Sequence, residues 1–454
     1  MRITTGTPIT LSDIAKATDG KLLCPNKTIN CITTDSRCVF PSDLFWALDG
    51  ENFNGEDFAL EAKEKGGFTI SKNYSNADVF VSNTRQALLK FAHCFNKNLP
   101  IILYRIGITG SVGKSTTKEF LSTLLSQKYN VHKTDGNQNN EIGMPMTLLS
   151  AKKDCQALVI EMGMNHLGEI KRLSECLTPN IGIITNVGRA HIGNLGSREN
   201  IAKAKMEIAD GIENGVVILP YEEPLLSEMK RKLTFSTENI NAHFYLEDNA
   251  DDEVSIYNDG ILFCKSKFVF PEDHIKKCLI AACSAAILCG LSPYELSKGI
   301  SSISRQNARQ IELYRENLCF YTDFYNASPE SVTACINTAK KLYPHKRKSL
   351  LLGDMLELGD DSISIHREIG KQIDNGTFIN LFLFGNEVEE IKKGALLNGF
   401  NSDRIFLNRD LNDTKTTAEQ IRKNCQPNEM IFMKASRKIM LERVIDQFRD
   451  TEVI

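Results

Sequence analysis

The sequence predicts an α/β protein of three domains, on three observations. Its 454 residues exceed what one hydrophobic core organises. Apolar runs of strand length alternate with helix-period segments through the centre and again near the C-terminus, which predicts mostly parallel sheets covered by helices. Between one such run and the helix after it lies Gly107-Ile108-Thr109-Gly110-Ser111-Val112-Gly113-Lys114-Ser115-Thr116, a glycine-rich turn closing in Gly-Lys-Ser.

The first unit, residues 1–98, holds short apolar runs such as Leu44-Phe45-Trp46-Ala47-Leu48 and a helical stretch over 58–65 stopped by Gly66-Gly67. Polar Asn96-Lys97-Asn98 before Pro100 marks its end. In the second unit, residues 99–305, the segment 101–106 reads as a strand leading into the glycine-rich turn, and 157–160, 181–185 and 215–219 read as further buried strands. A β-like insertion follows around 240–270, then an alanine-rich helix over 279–288 closed by Gly290. The third unit, residues 306–454, repeats the rhythm with strands at 348–353, 379–385 and 430–434 and reads as a Rossmann-like, doubly wound domain.

A glycine turn placed between strand and helix is built to hold nucleotide phosphates. Glycines let the backbone approach the phosphates, the helix N-terminus presents unsatisfied N–H groups, Lys114 adds charge and the Ser115 hydroxyl suits magnesium. The first glycine of the common spacing is replaced by Ile108, leaving the shorter Thr-Gly-Ser-x-Gly-Lys form. Two strands run into polar ends, Glu161-Met162-Gly163-Met164-Asn165-His166 and Asn186-Val187-Gly188-Arg189-Ala190-His191. Glu161 supplies a hard oxygen for magnesium, and His191 is suited to a second metal or to a phosphate.

A net charge of −3 gives no nucleic-acid surface in the total. Thirteen scattered cysteines without a Cys-x-x-Cys pair predict reduced thiols in a cytosol rather than a zinc site. The N-terminus lacks a signal-peptide core and no apolar run is long enough to span a bilayer, so a cytoplasmic protein without membrane insertion is expected. A monomer is the default in the absence of an exposed heptad pattern.

At this point the chain resembles the Mur ligase family, the ATP-dependent amide-bond ligases that build the peptidoglycan stem peptide. The resemblance runs through Asp35-Ser36-Arg37, the loop 109–117, Gly136-Asn137-Gln138-Asn139-Asn140-Glu141, Glu161-Met162-Gly163, Thr185-Asn186-Val187-Gly188, Ala204-Lys205-Met206-Glu207, Asp323-Phe324-Tyr325-Asn326-Ala327-Ser328-Pro329, Leu352-Gly353-Asp354-Met355-Leu356-Glu357 and Lys434-Ala435-Ser436-Arg437. It implies an N-terminal UDP-sugar-binding domain, a central ATPase and a C-terminal domain that closes over the site. Length, motif order and the paired asparagines resemble the branch that joins D-alanyl-D-alanine to UDP-N-acetylmuramoyl-tripeptide through an acyl phosphate.

The resemblance also implies roles. ATP would be held by Thr109, Gly110, Ser111, Val112, Gly113, Lys114, Ser115 and Thr116, with Arg309, Asp323 and Asn326 from the third domain. One magnesium ion would meet Ser115 or Thr116 with Glu161; a second would meet His191 and Lys205, the latter carried as a carbamate. An ammonium beside magnesium repels it, whereas a carbamate offers two anionic oxygens. A surface lysine is the alternative, since 201–205 reads as a helix with an exposed basic face. Asp35, Ser36, Arg37, Asn139, Asn140, Thr147 and Asn165 would face the UDP-muramyl peptide, and Lys434, Ser436 and Arg437 the dipeptide or the acceptor carboxylate.

Some positions depart from the family pattern. Met206 and Ala435 stand where glycine is usual, and Ser328 replaces an asparagine that it can still partly replace as a cap. His274-Ile275-Lys276-Lys277-Cys278 lacks both asparagines of the usual His-Asn-x-x-Asn, one of which helps read adenine. A ligase for another acid and amine, and a degenerate nucleotide-binding module, are the competing readings. The joint presence of Lys114, Glu161, His191, Lys205 and Asp323 argues against the module.

Overall fold

The structure, a computed structural model, describes residues 1–50, 53–305, 311–322 and 326–449. Three sheets succeed one another along the chain, and the fold is α/β with mostly parallel pairing, as the alternating pattern implies. The expected Arg309 and Asp323 lie outside the described residues.

The first sheet has six strands in the order Arg2–Thr10, Thr28–Thr33, Leu44–Trp46, Phe68–Ser71, Val79–Phe80, Lys21–Leu22. Its inner pairs are parallel and its two outer strands antiparallel. Helix Thr84–Lys97 starts at Asn83, whose side chain accepts the Gln86 N–H, and buries Ala87, Leu88 and Phe91. Phe91 stacks on Trp46 with ring centroids 5.9 Å apart, and Trp46 Nε1 donates to the Thr84 carbonyl at 2.8 Å, so the indole is buried with its polar atom satisfied.

The central sheet has nine strands, in the order Ile261–Lys267, Glu253–Asn258, Phe244–Asp248, Lys232–Ser236, Val216–Pro220, Ile181–Ile184, Tyr104–Thr109, Ala157–Glu161, Val131–Lys133. The insertion expected around 240–270 is an antiparallel extension of this otherwise parallel sheet. Every residue of Ala157–Glu161 and Ile181–Ile184 is buried, because helices cover both faces. Helix Lys114–Leu125 packs on helix Asp273–Leu288, whose Ala281, Ala282, Ala285 and Ala286 are fully buried; small side chains allow the close approach. The strand expected at 101–106 begins later, at Tyr104. Ile101 and Leu103 are exposed, and pairing of Ile106 with both Val159 and Ile181 puts the core face on Ile106 and Ile108.

The third sheet runs Ile311–Arg315, Leu318–Thr322, Met430–Lys434, Lys348–Gly353, Leu381–Phe384, Ile405–Asn408, parallel except for its first hairpin. Helix Pro329–Lys341 opens with Ser328, whose side chain accepts the Ser331 N–H in a capping box, so serine serves as the cap here. Among the described residues no helix is long and apolar enough to cross a membrane, and all thirteen cysteines are free.

Candidate active site

Strand Tyr104–Thr109 delivers the glycine-rich turn to the C-terminal edge of the central sheet, where the ends of Ala157–Glu161 and Ile181–Ile184 flank it. The turn requires its glycines. Gly113 has φ +81°, and a Cβ there would lie 2.9 Å from Cys278 Sγ; a Cβ on Gly110 would lie 1.8 Å from Thr185 Oγ1. Strand-end residues clamp the turn. Thr185 Oγ1 donates to the Val112 carbonyl at 2.6 Å, Asn186 Oδ1 accepts the N–H groups of Ser111 and Val112 at 3.0 Å each, and Gly188 N–H donates to Ser111 Oγ at 2.9 Å. Lys114 Nζ folds back to donate to the Gly110 carbonyl at 2.7 Å.

Glu161 is fully buried. Its carboxylate accepts Ser115 Oγ–H at 2.7 Å and Asn139 Nδ2–H at 2.8 Å, and its own N–H donates to Thr134 Oγ1 at 2.9 Å. Asn139 is in turn held by its carbonyl, which accepts the Gly163 N–H at 2.7 Å. A carboxylate is thus fixed beside the first helical turn by neutral donors.

Lys205, on helix Arg198–Met206, is only 1% exposed, so the basic face expected at 201–205 does not include it. Isoleucine and alanine neighbours turn that helix edge inward. Burial first, and Lys114 second, push the Lys205 amine well below its usual value, with Glu330 acting the other way. His191 sits at φ +64° and its Nδ1 lies 2.7 Å from Glu357 Oε2, a contact outside aligned hydrogen-bond geometry; the nearby His191 holds the Glu357 carboxyl below its usual range.

A cavity of about 530 Å³ collects these groups. Of the sequence-predicted residues, Gly110 through Thr116, Asn139, Asn140, Asn165, His191, Lys205, Asn326 and Lys434 line it, while Glu161 stands behind Ser115 and Asn139, and buried Thr109 ends the strand beneath the loop. Others lie apart. Asp35 and Arg37 pair with each other at 2.7 Å, which holds the Asp35 carboxyl down at about 2, and Ser36 Oγ donates to Glu61. Thr147 Oγ1 donates to the Gly143 carbonyl in its own helix, and Ser436 Oγ accepts the Leu356 N–H at 2.9 Å. Sequence reasoning did not single out Arg85, which reaches the cavity from the first unit, nor Ser331 from the third. Asn186 had a signal, a side-chain amide at a buried strand end beside the glycine turn.

The comparisons with known proteins bear on this geometry. Residues 108–280 match the Mur ligase middle domain and 310–437 the Mur ligase, glutamate ligase domain. The chain is 34% identical over 453 residues to the UDP-N-acetylmuramoyl-tripeptide--D-alanyl-D-alanine ligase of Bacillus subtilis, covering 96% of this chain and 97% of that one. It belongs to the Mur ligase family. A Synechocystis ligase of the same name is 31% identical, with 92% of each chain covered. Among solved structures, this Mur ligase is similar to MurF from Acinetobacter baumannii (TM-score 0.86, 26% identity, 97% of this chain and 99% of that one). It is also similar to MurF ligase from Thermotoga maritima in complex with ADP (TM-score 0.79, 27% identity, 92% and 96%).

The residues present fit magnesium. Among the described residues no three His, Cys, Asp or Glu side chains converge on one point, so the protein alone forms no closed metal cage. Magnesium is held elsewhere by one or two carboxylates together with substrate phosphates, and the Glu161–Ser115 pair beside a phosphate loop is that donor set.

Proposed function

We propose that this Mur ligase uses ATP to join D-alanyl-D-alanine to UDP-N-acetylmuramoyl-tripeptide, giving ADP, phosphate and the pentapeptide precursor. The observation that carries the reading is the single cavity in which the phosphate loop, buried Lys205, and Asn326 and Lys434 of the third sheet meet. The names of relatives matched along nearly the whole chain support the substrate pair. In this reading residues 1–98 bind the UDP-muramyl peptide, 99–305 bind ATP and 306–454 close over the site in a soluble, cytoplasmic monomer.

Loop N–H groups 111–116 and Lys114 hold the phosphates; the two N–H groups now bound to Asn186 turn to them when the nucleotide enters. Glu161 with Ser115 would hold one magnesium ion, and His191 with a carbamate on Lys205 would hold a second. Magnesium, when bound, offsets the charge that spreads over the transferring phosphoryl group. Lys205 suits a carbamate because its depressed basicity leaves an amine lone pair; the nitrogen bonds to the carbon of CO₂ and releases a proton.

A carboxylate resists amine attack because its oxygen leaves poorly. The terminal carboxylate of the tripeptide therefore takes the γ-phosphoryl group, breaking the bond to ADP. The dipeptide amine then attacks the acyl carbon and expels phosphate, while closure of the third domain excludes water. Lys434 and Asn326, reaching in from that domain, orient the reactants. Phosphate release is the test, measured with the tripeptide, the dipeptide or both, with mass detection of product. Release only with both, plus the pentapeptide mass, is expected; release with neither combination, while ATP binds, refutes the substrate assignment.

A further inference from the structure

Beside the phosphate loop, on the side of the third sheet, lies a second cavity of about 420 Å³. Two contacts join it to the loop. Cys278 Sγ donates to the Gly113 carbonyl at 3.7 Å, and Gly188, whose N–H holds Ser111 Oγ, precedes Arg189 on the cavity wall. Helix Asp273–Leu288 runs between the two: its N-cap, Glu272, lines the cavity six residues before Cys278, about 9 Å along the helix axis. That separation is of the order of one nucleoside. A nucleotide with its phosphates on the loop is long enough to reach this cavity with its base.

The cations of this wall are committed: Arg189 to Glu368 at 2.8 Å, Lys277 to Glu238 at 2.7 Å and Lys341 to Asp273 at 2.5 Å. The cavity has no surplus positive charge for an anion. Glu272 differs from them. Its side chain is 1% exposed, its Oε1 accepts the Tyr321 hydroxyl at 3.0 Å with the Arg305 guanidinium 3.6 Å away, and its Oε2 is buried without a hydrogen-bond partner among the described residues. A buried carboxylate oxygen without a donor is costly, and an N–H supplied by a ligand in the cavity would satisfy it. Glu330 Oε2 is the other such acceptor on the wall, but its carboxylate already takes the Arg189 N–H at 2.7 Å and lies near Lys205.

We infer that Glu272 selects the nucleobase, its Oε2 accepting an N–H of the 6-amino group of adenine. One available oxygen matches one donor. Guanine presents two adjacent N–H groups that ask for both carboxylate oxygens, and Oε1 is held by Tyr321. Hypoxanthine places a carbonyl oxygen where adenine has its amine, and the carboxylate repels it. The inference rests on the reading of the loop as an ATP site. It assigns base recognition to a residue one turn before Ile275, which is itself buried in the core.

Calorimetric titration of the full-length protein with ADP and with IDP, in magnesium buffer, tests this. The unchanged protein is expected to prefer ADP by about tenfold or more, the worth of one hydrogen bond to a charged acceptor. Glu272→Gln, whose amide can turn an N–H to the 6-oxo group, is expected to bring the ratio within about threefold while the melting temperature holds. Tyr321→Phe removes the hydroxyl that donates to Glu272 Oε1 but keeps the Oε2 acceptor, so it is expected to keep the preference. An unchanged ratio in Glu272→Gln, or an equal collapse in Tyr321→Phe, overturns the inference. Binding of neither nucleotide by the unchanged protein sinks the ATP reading and the inference with it.

Discussion

Lys205→Met separates what a buried lysine costs from what it does. Methionine keeps the unbranched stem and removes the amine that is buried to 1% exposure among Ile201, Ala202 and Ala204. Replacing a buried ionisable group by an apolar one of similar volume is worth about 1–4 kcal/mol of added stability. Each kcal/mol moves melting by about 2–4 °C in a unit of this size, so a gain of about 5–10 °C corresponds to the middle of that range. The pH dependence has a definite sign. Above 10.5 the amine is neutral folded or unfolded; as pH falls through 10.5 the unfolded chain takes up a proton that the folded chain refuses, and the wild type loses stability down to its own depressed value. The advantage of Lys205→Met is therefore largest on the neutral side and shrinks as pH rises towards 10.5. Melting followed by circular dichroism in bicarbonate-free buffer measures it, and ligase turnover of the same variant should fall at least about 100-fold. A variant less stable than wild type at neutral pH, or an advantage that does not shrink with rising pH, refutes the reasoning.

Lys114→Ala and Glu161→Gln should each abolish substrate-dependent phosphate release while leaving the fold intact; release at the wild-type rate by either variant would remove it from the mechanism. Gly113→Ala forces an alanine to φ +81° with its Cβ 2.9 Å from Cys278 Sγ. A cost of about 1–2 kcal/mol and weakened nucleotide binding are expected, read by denaturation and titration. Trp46→Phe loses the bond to the Thr84 carbonyl and part of the stack on Phe91, and should cost about 1–3 kcal/mol. As Trp46 is the one tryptophan of the chain, unfolding of the wild-type first sheet is readable by its fluorescence. Glu357→Gln removes a carboxyl held below its usual range by His191. That contact contributes above the unfolded carboxyl value and fades as pH falls, so the difference between Glu357→Gln and wild type should close in acid, as measured by melting across pH 3–7.

The local part of this protein was legible in its residues. Strand-length apolar runs at 157–160 and 181–185 could only be buried, and Gly113 before Lys114 required a left-handed turn at a helix start, because both follow from backbone geometry within a few residues. The position of Glu161 at a strand end, and of Ser115 in the first turn of the helix after the glycine turn, follows from the same periodicity. The strand at 101–106 was displaced because its register is decided by Val159 and Ile181, far away in sequence.

Only tertiary structure decided the burial of Lys205, since a helix of mixed lysines and alanines does not say which edge meets a neighbour. It likewise decided that Cys278 packs under Gly113, that Arg85 reaches the phosphate-loop cavity, and that Glu272, on the wall of the neighbouring cavity, keeps one oxygen without a partner among the described residues. Such contacts join segments as far as 165 residues apart. The sequence by itself determined the chemistry that each segment carries, and the packing of three sheets determined which of those groups share one site.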